Sequence, residues 1–174
     1  MIITISGRAG SGKSTAAKLL AKKLNLKHYS MGDLQREIAK EKGISIVELG
    51  KLEEKDGSID RALDEKQKNL GKKEDNFVID GRLSAFFIPH AKKIFLEADE
   101  KTRAKRIFDD KRADEDNKDM KKTLDNIRAR EDSESKRYSS YYGFDCYDKS
   151  RYDLVIDTSD KEPEEVRDEI IKLL

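Results

Sequence analysis

Apolar residues fall in short clusters separated by long charged stretches, and the spacing within those clusters switches between strand and helix periods. Ile2 to Ser6 is a β-branched run that ends in a glycine-rich turn, after which Ala16, Leu20 and Leu24 recur at helical spacing. The chain therefore opens as strand, loop and helix. Asn25 tolerates the left-handed conformation that ends a helix, and Lys27 to Ser30 reads as a brief second strand. From Met31 to Gly71 the signals are helical: Leu34 and Ile38 share a face, Gly43 is a stop, and Ser45 with Glu48 forms a capping box stapled by Ile44 and Leu49. A further amphipathic segment carries Ile59, Leu63 and Leu70 and is expected to stop at Gly71. Phe77-Val78-Ile79-Asp80, Ile94-Phe95-Leu96 and Leu154-Val155-Ile156 are apolar runs typical of strands buried on both faces of a parallel sheet. Pro163 in a first turn, Glu164 and Glu165 beside it, and a stripe of Val166, Ile170 and Leu174 predict a closing helix. The pattern predicts an α/β fold in three layers, with a five-stranded, mainly parallel sheet and ligands at the carboxyl ends of its strands.

Length and composition narrow this further. At 174 residues one core is expected, and although 42% of residues are charged against 36% hydrophobic, the clustering of the latter argues for a folded chain. Lys plus Arg number 37 and Asp plus Glu 36, with the signs interspersed, so no field exists to hold a polyanion and no nucleic-acid partner is implied. The lone Cys146 rules out an internal disulfide and suits a reducing compartment. The apolar runs are too short for a membrane span, and Met1 is followed directly by Ile2-Ile3-Thr4-Ile5 without a basic leader. A cytoplasmic location without membrane association is expected.

The strongest chemical signal is Gly7-Arg8-Ala9-Gly10-Ser11-Gly12-Lys13-Ser14-Thr15. Its G-x-x-x-x-G-K-S spacing lets successive backbone N–H groups point inward around a phosphate, with Lys13 as a point charge for the β and γ phosphates and Ser14 as a Mg²⁺ ligand. The motif lies between a strand and a helix, as the mechanism requires. The fold class is thus a P-loop NTPase binding a nucleoside triphosphate. Asp80, at the end of a neighbouring strand, is a second candidate for holding Mg²⁺, through water.

P-loops serve switches, motors and kinases, so the acceptor has to come from other residues. A GTPase switch would have glycine three places after Asp80, where this chain has Leu83, and Asn117-Lys118-Asp119-Met120 lacks the final acid of N-K-x-D. Arg130, Glu134 and Arg137 stand at i, i+4 and i+7 on one helix face. Arg103 and Arg106 are one turn apart, and Arg82 follows Asp80-Gly81. Grouped arginines suit a transferring phosphoryl group, and a solvated helix with internal ion pairs is the plain alternative.

The runs Ile79-Asp80-Gly81-Arg82-Leu83, Ala91 to Ala98, Arg130 to Tyr142 and Tyr152 to Thr158 resemble the cytidylate kinases, most of all their short archaeal form, and the likeness spans nearly the whole chain. It implies transfer of the γ-phosphoryl group of ATP to CMP or dCMP, with Mg²⁺ and no covalent enzyme intermediate. It also implies a core (about residues 1–30, 72–106 and 144–174), a helical monophosphate-binding lobe (about 31–71) and a lid (about 107–143). By the resemblance, Arg82 and Arg36 hold the acceptor's α-phosphate, with Asp60 and Arg61 as further candidates. Arg130 and Arg137 approach the phosphates, Arg103 and Arg106 flank the donor, and Glu134 faces the acceptor. Glu134 stands where many bacterial members have Asp, and Lys13-Ser14 where many archaeal ones have Thr-Thr.

Other residues read as structural. Tyr138, Tyr141, Tyr142, Phe144 and Tyr147 form an aromatic group expected to pack a helix on its core. His28 and His90 have no ligand set at metal spacing and read as surface or strand-end residues. Asp109 to Lys122 reads as a solvated lid surface, and Gly32, Gly43, Gly57, Gly71 and Gly143 as helix stops or hinges. Two rivals stay open: a kinase of the same architecture acting on AMP, UMP or a metabolite hydroxyl, and an ATP-binding module that acts on a partner. A monomer is expected.

Overall fold

The computed structural model describes residues 1–110 and 118–174. Strand β1 (Ile2–Gly7) leads through the glycine-rich loop into helix α1 (Lys13–Leu24). Asn25, with φ of 53°, ends α1 in the left-handed conformation and turns the chain into β2 (Lys27–Ser30). Three helices follow: α2 (Met31–Lys42), α3 (Ile46–Lys55) and α4 (Ser58–Lys73). Gly43 caps α2 at φ 66°, both halves of the Ser45–Glu48 capping box form, and Ile44 packs against Leu49. Then come β3 (Phe77–Asp80), the single turn α5 (Ser84–Phe87), β4 (Lys92–Glu97), α6 (Glu100–Asp109), α7 (Met120–Tyr142), β5 (Leu154–Asp157) and α8 (Pro163–Leu173).

All four strand pairings are parallel, in the order β2-β3-β1-β4-β5. Alternation along β1 and β3 sends Ile3, Ile5 and Val78 to one face, where they meet Leu20 of α1 and Val166 and Ile170 of α8. Ile2, Phe77 and Ile79 face the other way, against Met31, Leu70 and Ile88. The register places Ile5 and Ser30 beside Asp80, so three strand ends open at one level under the glycine-rich loop. That level is where ligands bind parallel sheets of this kind.

Four expectations need correction or limits. Gly71 does not end α4, which runs to Lys73; a Cβ there would lie 2.9 Å from Ile88 Cγ1, so this glycine admits a buried neighbour instead. Leu174, placed on the buried stripe of α8, is 43% exposed, while Val166 and Ile170 are buried. The turn α5 gave no sequence signal. Residues 111–117 of the stretch read as a solvated lid surface, including Asn117 of the rejected switch motif, lie outside the described residues. The aromatic group packs in part: Phe86, Phe87, Tyr142 and Phe144 make ring contacts at 4.9–5.5 Å, and Tyr138 and Phe144 are buried, whereas Tyr141 is 40% exposed. Among the described residues no helix is long and apolar enough to cross a membrane.

The contact at Gly71 opposes helix propensity. Gly71→Ala, stabilising in an isolated helix, is expected to cost about 1–3 kcal/mol here by overpacking. In an Ile88→Ala background the same change should turn neutral or stabilising, as read from urea unfolding midpoints.

Candidate active site

The glycine-rich loop is shaped by close backbone approach as much as by its turns. Gly7 has φ of 143°, and a Cβ there would sit 2.0 Å from the Leu96 carbonyl oxygen; at Gly10, with φ of 79°, one would sit 2.5 Å from that of Arg103. Only glycine lets the loop lie this tightly on β4 and α6. The N-terminus of α1 then points its positive end across the loop, beside Lys13. Lys13 Nζ donates to the Arg8 carbonyl at 2.8 Å. Burial, then Arg82, pushes the lysine well below its ordinary pKa, against the opposing pull of Asp80. A phosphate chain is the kind of anion that would offset this crowding of cations.

Asp80 is buried at the end of β3, and its carboxylate is fully engaged. Oδ2 accepts from Ser14 Oγ at 2.8 Å and from Ser30 Oγ at 3.0 Å, while His28 Nε2 lies 2.7 Å from Oδ1. Burial alone would raise its pKa, but the bonds from His28 and Ser14 outweigh that and hold it below the usual carboxylate value. The two candidate metal residues, Ser14 and Asp80, therefore meet, as an all-oxygen pair beside the loop. Such a pair fits a hard cation that takes its remaining ligands from waters and phosphate oxygens. Among the described residues no group of three or more His, Cys, Asp or Glu offers an alternative cage.

A second buried carboxylate organises the arginines. Glu134 of α7 accepts from Arg82 Nε at 2.7 Å, Arg130 Nε at 3.1 Å and Tyr147 Oη at 2.9 Å. Burial works to raise its pKa, yet Arg82 and Arg130 lower it to about 2. Arg82 also donates Nη1 to the Gly7 carbonyl at 2.6 Å, which ties the strand end to the loop. Three residues earlier, Glu131 takes Arg8 and Arg103, both at 2.7 Å, and Arg103 further donates to the Ala9 carbonyl at 3.1 Å.

Two clefts flank the loop. The first is bordered by Ala9, Gly10, Gly12 to Thr15, Arg36, Asp60, Asp80, Arg82 and Arg130. The second lies on the other side between Gly10, Ser11, Gly12, Thr15, Arg106, Thr158 and Pro163. Arg106 is fixed there by Thr158, donating Nη2 to its carbonyl at 2.6 Å and Nη1 to its hydroxyl at 3.0 Å.

Four expected site residues stand elsewhere. Glu134, expected to face the acceptor, borders neither cleft and is buried against Arg82 and Arg130. Arg137, expected at the phosphates, is buried between α7 and the helices α3 and α4, 3.0 Å from Glu53 and 2.8 Å from Asp60. The Asp60 contact is Coulombic, without hydrogen-bond alignment. Arg103 borders neither cleft and braces the loop from behind. Arg61 is exposed and does not border the first cleft. Sequence reasoning missed His28, read as a surface or strand-end residue without a metal-ligand set, because the pairing of β2 with β3 that brings it to Asp80 leaves no local mark. It also missed Glu131, one acid in a highly charged helix.

Comparison with known proteins places the chain in a family. Residues 2–160 match the model of the cytidylate kinase-like family. A cytidylate kinase from Haloarcula marismortui is 42% identical over 168 residues, 95% of this chain and 85% of that protein. One from Archaeoglobus fulgidus is 39% identical over 173 residues, 99% and 93% of the two chains. Among solved structures, a shikimate kinase from Aquifex aeolicus superposes with a TM-score of 0.57 at 26% identity, covering 99% of this chain and 95% of that one. A phosphate loop beside a Ser14–Asp80 oxygen pair, arginines on one cleft, and these likenesses over almost the entire length lead to one assignment: the chain belongs to the cytidylate kinase-like family.

Proposed function

We propose that this chain transfers the γ-phosphoryl group of ATP to CMP or dCMP, giving ADP and CDP or dCDP, in pyrimidine nucleotide metabolism. The observation that carries this is the shared first cleft: Lys13, the Ser14–Asp80 pair and three arginines, Arg36, Arg82 and Arg130, converge on one space between the phosphate loop and the inserted helices. Family membership supplies the class of acceptor.

The second cleft, with Arg106 at its edge, suits the donor's nucleoside, and the loop between the clefts suits its phosphates. In the first cleft an oxygen of the acceptor's α-phosphate attacks the γ-phosphorus as the bond from that phosphorus to the β-bridging oxygen breaks. The departing charge stays on ADP. Lys13 and the inward N–H groups hold the β and γ phosphates, Arg36 and Arg82 anchor the acceptor's α-phosphate, and Arg82 with Arg130 faces the charge spread over the transferring group. Ser14 and Asp80 would hold Mg²⁺, which would supply neutralisation of phosphate charge. Closure of a lobe of about residues 31–71 and a lid of about 107–143 would exclude water from the reaction. A monomer is the proposed state, and the lone buried Cys146 suits the reducing cytoplasm.

ADP formation from Mg·ATP with CMP, dCMP, UMP, AMP, GMP or no acceptor tests the reading. Turnover with CMP or dCMP is expected; preference for another monophosphate would reject the acceptor, and turnover indifferent to any acceptor would point to an ATP-binding module. Lys13→Ala should lower kcat by about 100-fold or more. Arg82→Ala should raise KM for the monophosphate by about tenfold or more while changing KM for ATP far less. Glu134 gives a pH signature: its carboxyl goes from 4.5 unfolded to about 2 folded, so its contribution is present above pH 4.5 and lost as pH falls toward 2. Urea midpoints between pH 5 and 2 should fall less steeply for Glu134→Gln than for the natural sequence.

A further inference from the structure

The wall of the first cleft formed by α4 carries side chains that the reaction scheme leaves unused. Asp60, Asp64 and Gln67 stand at i, i+4 and i+7, so they share a helix face. All three are buried yet border the same cleft as Lys13, Arg36 and Arg82. Asp60 is taken up by Arg137 at 2.8 Å. Asp64 and Gln67 are each fixed from behind by a hydroxyl. Tyr142 of α7 donates to Asp64 Oδ2, and Ser84 donates to Gln67 Oε1 at 2.7 Å.

Those two bonds decide what the pair can offer a ligand. The Ser84 hydroxyl engages the amide oxygen of Gln67, which orients its NH₂ group as a donor, and Tyr142 engages one oxygen of Asp64, which leaves Oδ1 as an acceptor. Neither Oδ1 nor Nε2 makes another hydrogen bond among the described residues, and neither is sealed from the cleft. Three residues of helix separate them, a rise of about 4.5 Å, comparable to the breadth of one base edge. Burial pushes the Asp64 carboxyl up to about 6, so it is poorly solvated and gains from an N–H donor.

We propose that Asp64 and Gln67 are specificity-determining residues that read the edge of an amino-substituted pyrimidine, resting on the function proposed above. Asp64 accepts from the exocyclic amino group, and the Gln67 amide donates to the adjacent ring nitrogen or carbonyl oxygen. Cytosine presents this donor-then-acceptor order. Uracil presents a carbonyl oxygen to the carboxylate and an N–H to the amide donor, so both contacts turn repulsive. A buried polar pair left facing the wrong partner rejects it strongly, because neither group can recover water. The base is held at α4 while its phosphate lies toward Arg36 and Arg82, so one nucleotide spans the cleft.

The test is steady-state phosphorylation of CMP and UMP at saturating Mg·ATP by the natural sequence, Asp64→Asn and Gln67→Glu, with folding followed by circular dichroism and melting. Asp64→Asn replaces an acceptor oxygen by an amide that can donate to a carbonyl. Gln67→Glu keeps the acceptor for Ser84 and removes the donor. Each is expected to lower kcat/KM for CMP by about 10- to 100-fold, mainly through KM, and to lower the CMP-to-UMP preference by at least about tenfold. KM for ATP should stay unchanged. A folded variant that retains the CMP-to-UMP ratio overturns the proposal, and if Asp64→Asn fails to fold, Gln67→Glu decides. If the natural sequence itself phosphorylates neither CMP nor dCMP, the function proposed above fails. If it prefers CMP and both variants keep that preference, only the base-reading role fails.

Discussion

The carboxylate of Glu134 is buried where an unpaired charge would be untenable, and the arrangement around it depends on its being fully engaged. It accepts from Arg82 at the end of β3, from Arg130 one turn away on α7, and from Tyr147. Arg82 in turn holds the Gly7 carbonyl, so the strand end, the phosphate loop and the long helix are joined through one acid. A buried ion pair of this kind adds little net stability over apolar packing, but losing one partner costs roughly 3–5 kcal/mol because the other is stranded. Geometry, more than stability, is what the pairing secures.

Glu131 repeats the device three residues away on the same face of α7. It binds Arg8 at the front of the loop and Arg103 behind it. Each acid thus draws two arginines that would otherwise repel each other around the phosphate site. The helix also seats through two apolar patches, Ile127 against Ala9, Ala104 and Ile107, and Tyr138 against Leu83, Phe144 and Cys146. Charge density that reads as solvated surface in one dimension here becomes the joint between the core and α7. On the opposite side, Asp80 gathers Ser14 from α1 and both Ser30 and His28 from β2, so the loop is braced from both directions.

Features set by local chemistry were legible in the sequence. Asn25 and Gly43 take left-handed caps, the Ser45–Glu48 box closes, and the glycine-rich loop sits between β1 and α1, because each depends on residues a few positions apart. The five-stranded parallel sheet followed from short apolar runs alternating with helical periods. Arg137 marks the boundary of such reasoning. It shares a helix face with Arg130, but two helical turns, about 10 Å, separate them, so one reaches the phosphate cleft and the other reaches Glu53 and Asp60. A shared face is not a shared partner. Gly71 teaches the same lesson: glycine usually ends a helix, yet here it makes room for Ile88.

The sequence by itself determined the class of fold, the phosphate loop with Lys13 and Ser14, and the pairing of that loop with Asp80, since period, turn chemistry and motif spacing are properties of contiguous residues. Only the tertiary structure decided which charges meet: His28 at Asp80, Glu131 between Arg8 and Arg103, Glu134 between Arg82 and Arg130, and Asp64 beneath Tyr142. The physical reason is range. Hydrogen bonds and ion pairs act over a few ångströms, and residues separated by tens of positions come that close only when strand order and helix docking have been fixed by the burial of the whole apolar core.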